Sequence, residues 1–238
     1  MFLTNMLKSD YVYPDANDAA TVTVVMKEDT WEQDEKEVLA YAKSFIQKGK
    51  IFIDAGCGFG RLIPVFAQCF EKVIAVEPDL QRIQKAKETI ALAGLSKKVE
   101  FVHLPIEEVT IKDKAAVILS SHIIQHISTT AVPVMLRKIR TLLKRGGLLI
   151  LTTSNSPRET DRFVQSYLRN GKSIQEEIQK TKFESLVDAT DGVLPVRQYS
   201  SQSLVNLLEH AGFTVVAQRL FHKSTIYPKG KDVLVIVK

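Results

Sequence analysis

Residues Ile53–Arg61 read "IDAGCGFGR", and the rest of the chain is best understood outward from them. Gly56, Gly58 and Gly60 alternate here, after the short apolar run "KIFIDAG" and before the helical pattern "RLIPVFAQCF". A strand, a glycine turn and a helix form the opening of a βα unit. In open α/β sheets that turn lies at the carboxyl end of the strands, where ligands bind. Glycine serves such a turn in two ways: it tolerates positive φ, and it lets a ligand approach the backbone closely. The phosphate-loop spacing G-x-x-x-x-G-K-[ST] is absent. The dinucleotide fingerprint is broken, because Arg61 stands where its third glycine would fall. Asp54, two residues before the first glycine, would repel a pyrophosphate; it suits a ligand carrying an ammonium or a sulfonium. Glu77 closes the next apolar run, "KVIAVE", where an acid can accept the two hydroxyls of a ribose.

Further apolar runs follow at intervals: "VEFVHL", "AAVILSS" and "GLLILTT". Each is short and nearly continuous, as expected of strands covered on both faces. Between them lie helical patterns. "DLQRIQKAKETIALAG" has an Asp at its start and Gly94 as a C-cap, and "TTAVPVMLRKIRTLLKRGG" predicts a helix ending at paired glycines. Five alternations of strand and helix predict an open, mainly parallel α/β sheet. Residues 155–197 ("SPRETDRFVQSYLRNGKSIQEEIQKTKFESLVD" within them) interrupt the alternation; their charged pattern predicts a helical insertion acting as a lid over the acceptor. "SSQSLVNLLEHAGFTVVAQRL" then gives a helix, Gly212 as C-cap and a strand, and "DVLVIVK" a last strand. The expected organisation is one domain over 1–238. It comprises an N-terminal arm and helix at 1–50, a ligand-binding core at 51–154, the insertion at 155–197, and a C-terminal helix and strands at 198–238.

Hydrophobic residues are 45% and charged residues 25% of the 238, the profile of a water-soluble globular protein. No apolar run approaches the roughly 20 residues of a membrane span. The start "MFLTNMLKSDYVYPD" lacks the basic and apolar regions of a secretory signal, so a cytoplasmic location is expected. The net charge of +5 is spread along the chain rather than gathered in a stripe, which argues against nucleic acid as the partner. Cys57 and Cys69 make neither a disulfide framework nor a metal site.

With these pieces in place, the chain resembles the class I S-adenosylmethionine-dependent methyltransferases. It looks most like the small-molecule group that includes ubiquinone-biosynthesis-type enzymes. The resemblance rests on "FIDAGCGFGR", "VIAVEPDLQRIQKAKE", "ILSSHIIQHIS", "LLKRGGLLILTT" and "YSSQSLVNLLEHAGFTVV". It implies a Rossmann-like, seven-stranded, mainly parallel sheet with helices on both faces. It also implies S-adenosyl-L-methionine as cofactor, S-adenosyl-L-homocysteine as product, and a small-molecule acceptor methylated on O, N or C. Carried over position by position, Gly56, Gly58 and Gly60 would line the methionine and ribose side, with Cys57 and Arg61 completing the turn. Asp54 would orient the cofactor, Glu77 would hold the ribose hydroxyls, and Pro78 and Ile106 would lie by the adenine. Ser120 and Ser121 would stand beside the methionine moiety. Two positions depart from the pattern: Pro105 stands where an acid often meets the adenine, and Ala116 where the fourth strand often begins with Asp.

For the acceptor chemistry the candidates are His122 and His126, four apart in "SHIIQHI". Each is either structural or a proton acceptor facing the substrate. Metal binding is not expected, since no third ligand is evident. Tyr11 and Tyr13 in the arm, and His222 and Tyr227 near the C-terminus, could reach the pocket. Competing readings are an RNA methyltransferase, a non-catalytic binding module, and a nicotinamide oxidoreductase, the last disfavoured by Arg61. The sequence leaves the oligomeric state open.

Overall fold

Each central strand distributes its side chains to two cores, and this fixes the architecture. A computed structural model describes residues 29–169, 172–187 and 193–238. In strand β1 (Gly49–Ala55), Ile51, Ile53 and Ala55 enter one buried cluster while Phe52 enters the other. β2 (Phe70–Val76), β4 (Ala115–Ser121), β5 (Leu143–Ser154) and β10 (Asp232–Val237) divide in the same way, so the sheet is covered on both faces. Against one face pack α4 (Ala131–Leu142), through Met135, Leu136 and Ile139, and α6 (Ser201–His210), through Leu204 and Leu208. The other face carries Val38 and Ala42 of α1 (Asp29–Lys43), Ile63 and Phe66 of α2 (Ile63–Ala67), and Ala86 and Ile90 of α3 (Leu80–Leu92). Phe52 stacks on Phe70 at 5.2 Å and lies 5.5 Å from Phe66, anchoring that second core. Removing such a ring costs about 3–5 kcal/mol.

With β3 (Val99–Val102) and β9 (Val215–Phe221) the sheet has seven strands in the order β3-β2-β1-β4-β5-β10-β9. β10 runs antiparallel to both neighbours; the other pairings are parallel. The doubly wound α/β sheet expected from the sequence is therefore present. The order reverses at β1/β4, which opens a crevice at the carboxyl ends of these strands. Asp79 caps α3 by accepting the N–H groups of Gln81 (2.7 Å) and Arg82 (3.1 Å). Ser200 caps α6 through the N–H of Ser203 at 3.2 Å.

Two sequence expectations are corrected. α4 ends at Leu142, not at the paired glycines, because Leu143 is extended and pairs with Ala115 as the start of β5. The insertion is not a helical lid. Its described residues form a three-stranded antiparallel sheet, β6 (Arg162–Arg169), β7 (Lys172–Glu177) and β8 (Leu194–Gln198), in the order β7-β6-β8, with helix α5 (Lys180–Val187) packed on it. Val164 and Ser166 are buried at period two, the mark of a strand. A bridge between Asn155 and Tyr199 ties the insertion to the end of β5. The expected role of Tyr11 and Tyr13 falls outside the described residues.

Candidate active site

The turn after β1 is held to β2 before any ligand is considered. The N–H groups of Gly56 and Cys57 both donate to the Val76 carbonyl, at 2.8 and 2.9 Å. Gly56 has φ +75°, and a Cβ there would lie 2.9 Å from Cγ1 of Ile123 and closer still to its Cδ1. Gly58 has φ +53° and only open space where a Cβ would stand. Its N–H donates to Oε2 of Glu77 at 2.9 Å, while Asp79 N–H donates to Oε1 at 3.2 Å. The Glu77 carboxylate is thus aimed by two main-chain groups, and each oxygen retains a lone pair. Gly60 differs from its expected place on the ligand side: a Cβ there would touch Ala86 of α3 at 3.3 Å, so this glycine serves helix packing.

Beside the turn lies a cleft of about 650 Å³, part of it open to solvent. Gly56, Glu77, Pro78 and Ile106 line it, as do His122 and His126 of the segment after β4. The remaining expected residues stand behind this wall or at its edge. Asp54 is buried under the turn, and its carboxyl is pushed up to about 7, by burial first and then by Glu77, against a downward pull from Arg61. Burial likewise raises the carboxyl of Glu77, which the Gly58 N–H partly offsets. The Cys57 thiol is buried and pushed far up by desolvation, so it is a packing group. Arg61 is exposed. Ser121 Oγ is 2.9 Å from Thr152 Oγ1, whereas Ser120 Oγ is buried with no hydrogen-bond partner.

Some pocket residues carry no clear signal in the sequence. Glu107, in the short 3-10 turn Ile106–Glu108, lines the cleft two residues beyond Pro105, and burial raises its carboxyl. An acid is therefore present on the Ile106 side after all, displaced along the chain. Arg82 of α3, whose guanidinium lies 5.5 Å from the Phe59 ring centroid, lines the same cleft.

The two candidate histidines have different surroundings. His126 Nδ1 is 2.9 Å from the Pro195 carbonyl, which can only accept, so Nδ1 carries the proton. Its Nε2 then accepts from the Gln125 amide nitrogen at 2.9 Å. The ring is buried, and desolvation lowers its pKa to about 4. His126 is a neutral pin joining the segment after β4 to β8. Arg197 N–H to the Gln125 carbonyl (2.8 Å) and Tyr199 OH to the Ile124 carbonyl (2.9 Å) pin the same segment. His122 is half-buried at φ +56°, with Nδ1 3.2 Å from Gln125 Oε1. Tyr227 is buried and accepts from the Gln198 amide at 2.9 Å. His222 is buried beside Asp232. Among the described residues no group of three or more His, Cys, Asp or Glu is placed to hold a metal ion.

A family profile described as "Methyltransferase domain" matches residues 30–218. The chain belongs to this methyltransferase-domain family. Its fold is that of the class I S-adenosylmethionine-dependent methyltransferases. Among curated proteins it is 28% identical over 107 residues to a ubiquinone biosynthesis O-methyltransferase of Nitrobacter winogradskyi, which covers 45% of this chain and 40% of that protein. The chain thus matches about two fifths of the length of such relatives. A solved S-adenosylmethionine-dependent methyltransferase from Clostridium acetobutylicum aligns over 93% of this chain and 98% of its own, with a TM-score of 0.64 at 15% identity. The glycopeptide N-methyltransferase MtfA, solved with S-adenosyl-L-methionine, aligns over 85% of this chain and 86% of its own, with a TM-score of 0.64 at 16% identity. At these identities the likeness is one of fold. Among the described residues no helix is long and apolar enough to cross a membrane.

Proposed function

We propose that this methyltransferase-family chain binds S-adenosyl-L-methionine in the cleft beside the glycine turn and methylates O, N or C of a small molecule, releasing S-adenosyl-L-homocysteine. The observation that carries the reading is the Glu77 carboxylate, fixed by the N–H groups of Gly58 and Asp79 at the cleft wall. Two parallel acceptor oxygens with free lone pairs match the two hydroxyls of a ribose. The donor set fits the rest of the cofactor. The glycine at 58 leaves open space for close approach, Asp54 supplies a carboxylate for an amino group, and Ser120 supplies a buried hydroxyl in want of a partner. Ile106, Pro78 and Glu107 offer an apolar slot with one acid for an adenine and its exocyclic amine.

When bound, the cofactor supplies a methyl group already activated by its sulfonium. The work left to the protein is alignment and exclusion of water. The insertion, through Pro195 and Arg197, and Tyr199 just after it fix residues 122–127 and leave His122 at the cleft without tying both its nitrogens. In this reading His126 positions and does not exchange protons. The test is calorimetric titration of one sample with S-adenosylhomocysteine, S-adenosylmethionine and NADH, followed by screening metabolite extracts for transfer of a labelled methyl group. Binding of the first two without NADH is expected. Binding of NADH alone moves the chain to the oxidoreductases, and cofactor binding with no labelled product in any extract favours a non-catalytic module.

A further inference from the structure

The described chain has two non-glycine residues at positive φ, His122 and His222, each at +56°, and both converge on one carboxylate. His222 Nδ1 is 2.7 Å from Asp232 Oδ2, and His122 Nδ1 is 4.0 Å from Asp232 Oδ1. Asp232 opens β10, is 2% exposed, and also receives Ser154 Oγ at 3.4 Å. A left-handed backbone is costly for a residue with a Cβ and marks places where a side chain must be delivered. Here two such residues, about a hundred positions apart in sequence, deliver imidazoles to a single buried acid.

The hydrogen bonds fix which edge of His122 faces where. Gln125 Oε1 already accepts the Ser154 N–H at 2.7 Å, so toward His122 it acts again as an acceptor. Nδ1 of His122 therefore carries the proton and faces two acceptors, Gln125 Oε1 and Asp232 Oδ1. Its opposite edge, with Nε2 and a lone pair, is left for the cleft that His122 lines. A base held in one tautomer by Gln125 Oε1, with a carboxylate 4.0 Å behind the same nitrogen, is the arrangement of an oriented general base.

We propose that His122 is the proton acceptor of the methyl transfer and that Asp232, steadied by His222, is its positioning residue. The inference rests on the methyltransferase reading and narrows it. The acceptor is a nucleophile that must lose a proton, a hydroxyl or an amine, rather than a thioether or an already deprotonated group. As the acceptor atom bonds to the methyl carbon, the carbon–sulfur pair stays with sulfur and the acceptor proton passes to Nε2 of His122. The resulting imidazolium lies beside the Asp232 carboxylate.

Carbethoxylation by diethyl pyrocarbonate, mapped by peptide mass spectrometry at pH 7.5, tests this on the full chain without an acceptor. The reagent takes neutral imidazole nitrogens that have an accessible lone pair. We expect His122 to react, buried His126 to stay unmodified, and exposed His210 to serve as the internal rate standard. Asp232→Asn should slow His122 severalfold relative to His210, because the charge behind Nδ1–H that favours this tautomer, and with it the lone pair on Nε2, is removed. Should that variant expose His126 to the reagent, His222→Gln is read instead, with a slowing of about threefold expected from the loosened carboxylate. An unreactive His122 in the wild type overturns the proposal. So does a His122/His210 ratio that stays within twofold of wild type in a folded variant. Calorimetry with S-adenosylhomocysteine on the same samples separates the two readings: a wild type that does not bind it defeats the cofactor assignment, whereas intact binding with an unreactive His122 defeats only this one.

Discussion

Replacing Glu77 with glutamine is nearly isosteric, yet the structure makes it a severe change for ligand binding. Both carboxylate oxygens accept a main-chain N–H, Oε2 from Gly58 and Oε1 from Asp79. Whichever way the amide is turned, its NH2 group meets one of those N–H donors. One backbone anchor is therefore lost, and the glutamine has a single oxygen left to share between the other anchor and a ribose hydroxyl. A hydrogen bond to a charged group contributes about 1.5–3 kcal/mol. Losing one ribose contact and weakening the other amounts to about 3–5 kcal/mol, or roughly 10²- to 10⁴-fold in Kd. The free protein should suffer much less, since Glu77 is buried enough to have its carboxyl raised, and an uncharged side chain removes that desolvation cost. The expected signature is a melting temperature close to wild type with S-adenosylhomocysteine affinity lowered by at least a hundredfold, read by calorimetry at pH 8. A well-folded Glu77→Gln protein that binds within threefold of wild type would refute the ribose assignment and the geometry behind it.

Gly56→Ala should destabilise the chain by about 2–4 kcal/mol, because a Cβ at φ +75° is strained and collides with Ile123. Denaturant melts of the double variant with Ile123→Ala should recover the steric part, and no recovery would mean the strain is all in the backbone. Asp54→Asn should change the pH dependence of stability. With its carboxyl raised from 3.8 to about 7, folded Asp54 binds the proton more tightly, so its stabilisation is full below about pH 4 and is lost as pH rises through 7, about 4 kcal/mol in all. His126, lowered from 6.5 to about 4, acts oppositely: its contribution is full above about pH 6.5 and is lost as pH falls through 4. The two nearly offset each other in the wild type, so chemical denaturation of Asp54→Asn between pH 4 and 7 should show stability falling on acidification more steeply than in wild type; parallel curves would sink the account of Asp54.

The central sheet was legible because its strands are apolar on both faces, and a continuous run such as "AAVILSS" has few other solutions. The glycine turn with Glu77 was legible for a different reason: a positive-φ turn and an acid at the next strand end are local demands written in residue type. The insertion was misread because its charges fall at helical spacings, while the feature that decides it, burial of Val164 and Ser166 against β7 and β8, comes from strand pairing and not from the segment itself. Glu107 escaped notice because a 3-10 turn carries it into the cleft two residues past the position where an acid was sought. Nothing in the spacing connects Asp232 with His122, since only the antiparallel return of β10 beside β5 brings them together.

That return also explains why residues 122–127 hold so many of the polar contacts outside the glycine turn. The segment leaves β4 at the crevice, where the parallel sheet partners it through β5 alone: His122 N–H donates to the Thr152 carbonyl, and Thr153 and Ser154 donate to Gln125. β10 supplies Asp232 on one side, and β8 with Tyr199 supplies one carbonyl acceptor, one hydroxyl donor and one main-chain donor on the other. Gln125 joins the two sides: its oxygen accepts from Ser154 N–H, Thr153 Oγ1 and His122 Nδ1, and its nitrogen donates to His126 Nε2. His126 therefore has to be neutral for the joint to close, and burial keeps it so. His122, on the same six-residue segment, keeps one nitrogen for the cleft. The two histidines, four residues apart, thus differ in what lies behind each: a carbonyl of the insertion behind one, a carboxylate of the last strand behind the other.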